Sequence, residues 1–129
     1  MTDAITLTIP REQQFFGVAR LVVGGLAARL DVSYDSFEDL QLALDSVLNQ
    51  AYATGEHVTV ELTLHDRTVD MAVGPLDGRE VQADLDRENE GVGLRRLLSA
   101  VVERIEVEER DGSDWVRLEK RLPEGGSGS

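Results

Sequence analysis

One amphipathic segment, residues 37–52 (Phe-Glu-Asp-Leu-Gln-Leu-Ala-Leu-Asp-Ser-Val-Leu-Asn-Gln-Ala-Tyr), does most to limit what this chain can fold into. At about 100° of rotation per residue, Leu40, Leu44, Val47, Leu48 and Ala51 share one arc roughly 100° wide, the width of a helix face that packs on a core. Such a face needs an apolar partner. Glu38, Asp45, Asn49 and Tyr52 line the rim of the arc. A polar row in that place can reach a cavity while packing holds its helix rigid.

The partner is a sheet. Ile5, Leu7 and Ile9 alternate with Thr6 and Thr8 as a half-buried strand that Pro10 ends. Phe15, Phe16, Val18, Ala19, Val22, Val23, Leu26, Ala27 and Leu30 recur at helical spacing over residues 12–30. Gly24 and Gly25 weaken the middle of that helix by about 1 kcal/mol each relative to Ala and leave room for another backbone to approach. Ser36 or Asp35 is expected to cap the second helix, with Asp39 at capping-box distance from Ser36, and Gly55 to end it. Residues 57–65 and 68–73 alternate as two strands of a hairpin joined by Asp66 and Arg67. Residues 74–90 have no apolar period and read as a loop, the usual place for a lid. Leu94, Leu97, Leu98, Val101 and Val102 mark a third helix, then comes a strand at Ile105 and Val107, and Asp111-Gly112 turns the chain into a last strand from Trp115. That order indicates an α+β fold: a two-layer sandwich with a mixed, mostly antiparallel sheet and three helices on one face.

The 129 residues suit one domain, residues 1–124, and the closing Gly-Gly-Ser-Gly-Ser, residues 125–129, reads as a linker or expression scar. Cysteine is absent, which excludes disulfides and thiolate metal sites. No long apolar run and no basic leader is present, so the expectation is a soluble, cytoplasmic protein with no membrane role. Thirteen Lys and Arg stand against 25 Asp and Glu, a net charge of −12. That balance repels nucleic acid and anionic lipid and attracts basic protein surfaces. His57 and His65 have no third ligand at metal spacing.

Tyr34-Asp35-Ser36-Phe37-Glu38-Asp39-Leu40, followed by Ala43, Asp45 and Asn49 and later by Gly91-Val92-Gly93-Leu94, resembles the ATP-binding domain of the GHKL (Bergerat-fold) superfamily. Within it the likeness is to the bacterial anti-sigma factors that double as serine protein kinases, and it runs over residues 5–122. The resemblance implies a histidine-kinase-like ATPase fold, ATP and Mg2+ as cofactors, and a sigma factor and an anti-sigma-factor antagonist as partners, with homodimerisation as a further expectation. It places the catalytic carboxylate on Asp45 and the Mg2+ contact on Asn49. Asp for the family's Glu withdraws the carboxylate by about 1.5 Å, and misplacement by 1 Å can cost about 10²-fold in rate. Gly91, Gly93 and Leu94 open a helix whose backbone N–H groups favour phosphate.

The family places an Asp after its third strand to accept the adenine amino hydrogen. Here Gly74 stands at that position, and Asp77, just before Gly78, is the substitute acceptor if the loop is shifted. Arg95 and Arg96 offer further cations, either for phosphate or for the surface. Trp115 is expected on the open sheet face. Three functions follow: a regulator that works by protein contact with ATP binding weakened or lost, an ATP-dependent serine/threonine kinase acting on the antagonist, or a non-catalytic scaffold or dimerisation domain.

Overall fold

A computed structural model of the protein describes residues 3–29, 32–48, 54–86 and 94–123. Along the chain run β1 (Asp3–Pro10), a short 3-10 turn (Gln13–Phe15), α1 (Phe16–Arg29), α2 (Tyr34–Leu48), β2 (His57–His65), β3 (Thr68–Leu76), α3 (Gly78–Asp86), α4 (Leu94–Ser99), β4 (Arg104–Arg110) and β5 (Ser113–Arg121). The five strands form one sheet in the order β1-β2-β3-β5-β4. Every pairing is antiparallel, so the mixed sheet expected above is corrected to a purely antiparallel one. Both hairpins turn where expected, through Asp66 and Arg67 at φ 47° and 62° and through Asp111 and Gly112 at φ 48° and 82°. These are left-handed conformations whose twist suits two-residue hairpins.

Register explains the two layers. Ile9 faces Val58, Val60 faces Val73, Leu62 faces Met71, and Met71 and Val73 face Leu118 and Val116. All of these are buried and form one core with Ala19 and Val23 of α1, Leu40, Ala43, Leu44 and Val47 of α2, Val81 and Leu85 of α3, and Leu98 of α4. The helices therefore cover one face. The other face carries Thr59, Glu61, Thr63, Asp70, Trp115, Arg117 and Glu108, the alternates of the buried positions.

Three local expectations are corrected. The second helix begins at Tyr34, where the Ser33 Oγ accepts the Ser36 N–H at 3.2 Å; Ser33 is the cap, and Ser36 lies buried inside the helix. Gly24 is approached by the Phe37 ring, 3.7 Å from where its Cβ would stand, and among the described residues no backbone of another element lies within 4 Å of that point. The stretch expected as a loop contains the end of β3 and all of α3, which raises the α-helix count from three to four among the described residues. Asp77 caps α3 by accepting the Arg79 and Glu80 N–H groups on Oδ1, at 3.1 and 3.2 Å. Val81 and Leu85, four residues apart and both 1% exposed, bury one side of it. Full burial of two such side chains is worth about 1.5–3 kcal/mol each.

Candidate functional site

α2 carries Glu38 and Asp45 of the polar row, Tyr52 lying outside the described residues, and is fixed at both of its sides. Its buried face is the stripe expected from periodicity, and Lys120 of β5, 12% exposed, donates to Asp39 Oδ2 at 2.8 Å. The Asp39 side chain is 35% exposed, so solvent screens the pair and its contribution is modest, but it ties the start of α2 to the sheet. On the other side, Arg20 of α1 pairs through Nε with Asp45 Oδ1 at 3.0 Å, and the Arg20 carbonyl accepts the Gln41 Nε2. Arg20 and Arg29 are the only cations in a helix that is otherwise apolar or glycine. Such isolation signals a specific partner, one that helical periodicity alone does not reveal.

Asp45 thus lies at the α1–α2 seam with its side chain 27% exposed, held by a charge-assisted hydrogen bond. Asn49, Gly91 and Gly93 lie outside the described residues; Leu94 begins α4, with its side chain also outside what is described. Asp77 lies at the far end of β3, in an open cleft of about 430 Å³ lined by Thr54, Leu76, Gly78, Arg79, Ser113 and Asp114 as well. Gly78 is required there, because a Cβ would overlap the Asp114 carboxylate. Two carboxylates therefore face the first turn of α3, where the helix dipole favours negative charge.

Gly74 has a different role from the one that alignment suggests. It pairs with Thr59 in the ladder, next to the buried Val73, so its Cα hydrogens point to the open sheet face. A Cβ added there would overlap the Trp115 indole. Arg110 lies over the other side of that ring, 4.5 Å from the centroid, and bonds Glu61 and Glu108 at 2.8 and 2.7 Å. Trp115 is on the open face as expected, but it is packed between Gly74 and Arg110. Between Val73 and Leu76 the register slips, across the cis Gly74–Pro75 peptide, and Leu76 returns to the core. Position 74 faces away from the helices and carries no acceptor side chain, and Asp77 caps α3 through Oδ1.

Arg95 has a structural partner too. Its Nε donates to the Leu85 carbonyl at 3.1 Å, satisfying a C-terminal carbonyl of α3. His65 Nε2 meets Asp70 Oδ2 at 2.9 Å on the open face, and among the described residues no group of three His, Cys, Asp or Glu could hold a metal ion. No described helix is long and apolar enough to cross a membrane.

No protein-family model matches the chain. It is 28% identical over 130 aligned positions to the serine-protein kinase RsbW of Halalkalibacterium halodurans, a match covering 85% of this chain and 78% of that protein. The RsbW of Oceanobacillus iheyensis is 39% identical over 49 residues, which cover 38% of this chain and 31% of that protein. For the RsbW of Listeria monocytogenes serotype 4a the figures are 29% over 79 residues, 57% and 50%. These two shorter matches span half or less of the relatives' length. Among solved structures, the RsbU and RsbW domains of Rv1364c from Mycobacterium tuberculosis superpose with a TM-score of 0.69 at 17% identity, covering 93% of this chain and 32% of that one. At that identity the structural likeness shows the fold alone. The chain is similar to the RsbW serine-protein kinases over most of its length, and it has the α+β fold that its residue pattern indicates.

Proposed function

We propose that the domain is an anti-sigma-type regulator in a partner-switching system, sequestering a sigma factor by protein contact and released by an antagonist protein, with ATP binding weakened or lost. The observation that carries this reading is the match to a serine-protein kinase RsbW over 85% of the chain. Protein contact needs only the surfaces of a retained fold, whereas phosphoryl transfer needs reacting groups placed within a fraction of an ångström. The shortened Asp45 carboxylate, held by Arg20, and the lack of an acceptor side chain at Gly74 favour contact over chemistry. An exposed stretch of α1, with Leu21 at 77% and Val18 at 39% exposure, offers an apolar surface to a protein partner or a second copy.

The second reading is an ATP-dependent serine/threonine kinase that phosphorylates the antagonist. It is favoured by the spacing of Asp45 and Asn49, one helical turn apart in sequence. In that reading Asn49 holds the Mg2+ of bound ATP and Asp45 acts on the attacking hydroxyl. The test is capture of the host's sigma factors on the purified domain with and without ATP and Mg2+, together with transfer of labelled phosphate to the candidate antagonist. Sigma capture that needs no nucleotide, with no phosphate transfer, is the expected result. Failure to bind any sigma factor overturns the regulator reading, and transfer that Asp45→Asn abolishes establishes the kinase.

A further inference from the structure

The strand order leaves β1 at one edge of the sheet and β4 at the other. The two edges differ in what they offer. β4 carries Arg104, Glu106, Glu108, Glu109 and Arg110, the kind of charge that protects an edge from pairing. β1 has no charged residue from Ala4 to Pro10, and its register against β2 runs from Asp3 to Pro10 without a bulge. Among the described residues no strand lies beyond it.

The direction of its backbone groups follows from one bond. The Arg11 N–H donates to the Glu56 carbonyl at 2.8 Å, and that pair continues the register of Pro10 with His57. Hydrogen-bonded pairs alternate along an antiparallel ladder, so the odd-numbered residues of β1 bond to β2 while Ala4, Thr6 and Thr8 direct their N–H and C=O groups away from the sheet. Pro10, with no N–H to offer, falls on that outer side, where proline is tolerated. The side chains at this edge are only partly covered as well. Ile5 and Leu7 are half-buried on the helix face, whereas Leu62 and Val60, which they face one strand further in, are 2% exposed each.

Ile5-Thr6-Leu7-Thr8-Ile9 reads the same in both directions. About a two-fold axis at Leu7, an antiparallel second copy sets Thr6 against Thr8, Ile5 against Ile9 and Leu7 against itself, cross-strand pairs that favour a sheet. Thr6 and Thr8, both with backbone groups directed outward, then exchange hydrogen bonds across the axis. The same register sets position 3, an Asp, opposite position 11, an Arg.

We propose that the outer edge of β1 pairs with β1 of a second copy of this chain about a two-fold axis at Leu7, joining two five-stranded sheets into one. The occupant is a second copy because the edge is its own complement, in side chains and in the direction of its backbone groups. The pairing needs neither nucleotide nor sigma factor, so it stands or falls apart from the proposed function. It leaves the exposed stretch of α1 at Val18 and Leu21 for a different protein.

The experiment uses the whole chain. Sedimentation equilibrium over a dilution series should show a monomer–dimer equilibrium; a monomer at every concentration overturns the proposal. The chain has no cysteine, so Leu7→Cys supplies a single reporter. On the axis it faces its own copy as a non-hydrogen-bonded pair with Cα atoms about 4.5 Å apart, within disulfide reach, and mild oxidation should give a covalent dimer. Leu21→Cys, on the exposed face of α1, should give little; a dimer cross-linked there and not at Leu7 overturns the proposal. Thr6→Pro removes an outward N–H and spares the bonds to β2, so it should abolish the dimer while the unfolding transition of the domain remains. The double variant Thr6→Lys, Thr8→Lys keeps every backbone group and sets like charges opposite each other. It should raise the dissociation constant of the dimer by about tenfold or more, and it decides the matter if proline at position 6 prevents folding. A dimer of wild-type strength in either folded variant overturns the proposal.

Discussion

Arg110 shows how one side chain organises the open sheet face. Its guanidinium binds Glu61 and Glu108 and lies on Trp115, and these hydrogen bonds raise its own pKa above the ordinary value, against the opposing effect of burial. In return, the hydrogen bond from Arg110 holds the Glu108 carboxyl below its usual range; burial opposes the shift, while the charges of Arg110 and Arg117 assist it. A carboxylate whose folded pKa is depressed binds its proton more readily when unfolded, so its stabilisation is full above the unfolded value and fades as pH falls through the folded one. Chemical denaturation of wild type and Glu108→Gln should therefore differ most above about pH 4.5, the ordinary value of the group. The difference should shrink as the pH is lowered further. The Glu108 side chain is 25% exposed, and solvent screening keeps the gap small. A difference that grows toward low pH would contradict the pairing.

At the scale of elements, α2 and α3 mark the limits of sequence reasoning. The apolar face of α2 is legible because Leu40, Leu44, Val47 and Leu48 repeat within the helix itself, and both hairpin turns are legible because their residues lie side by side. α3 is signalled only by Val81 and Leu85 and by an Asp77 cap, amid enough charge to imitate a loop. Its second cap, Arg95, belongs to the next helix. The Gly74–Trp115 contact joins β3 to β5, and no local pattern reveals a contact between strands so far apart in the chain. Of the candidate site, the position of Asp45 on its helix is legible from periodicity, while its partner Arg20 and the engagement of Asp77 emerge only in three dimensions. Leu85→Ala tests whether α3 is as firmly docked as its burial implies. It should cost about 2–5 kcal/mol, the range for fully buried Leu truncations, seen as a lower midpoint in urea with little change in slope. A loss under about 0.5 kcal/mol, the size of ordinary surface substitutions, would mean that the helix is only loosely attached.

Across the whole molecule the charge of −12 sets how partners arrive. A net negative field raises the encounter rate with a basic surface, and added salt screens that attraction over about 8 Å at physiological ionic strength. Association with a basic protein partner should slow as salt is raised, while the dissociation rate changes little; stopped-flow kinetics across a salt series would check this, and an on-rate indifferent to salt would show that the charge serves solubility alone. The strand order has a different consequence, for the birth of the protein. β5 is hydrogen-bonded to both β3 and β4 yet is the last of the described strands, ending at Arg121. A nascent chain still short of that strand leaves the β3 edge unpaired and strands β4 without a neighbour. On the ribosome the amino-terminal two-thirds can gather only as a partial sheet, with an open edge exposed to other chains. Completion of the sheet waits on β5, whose place lies between two strands made before it.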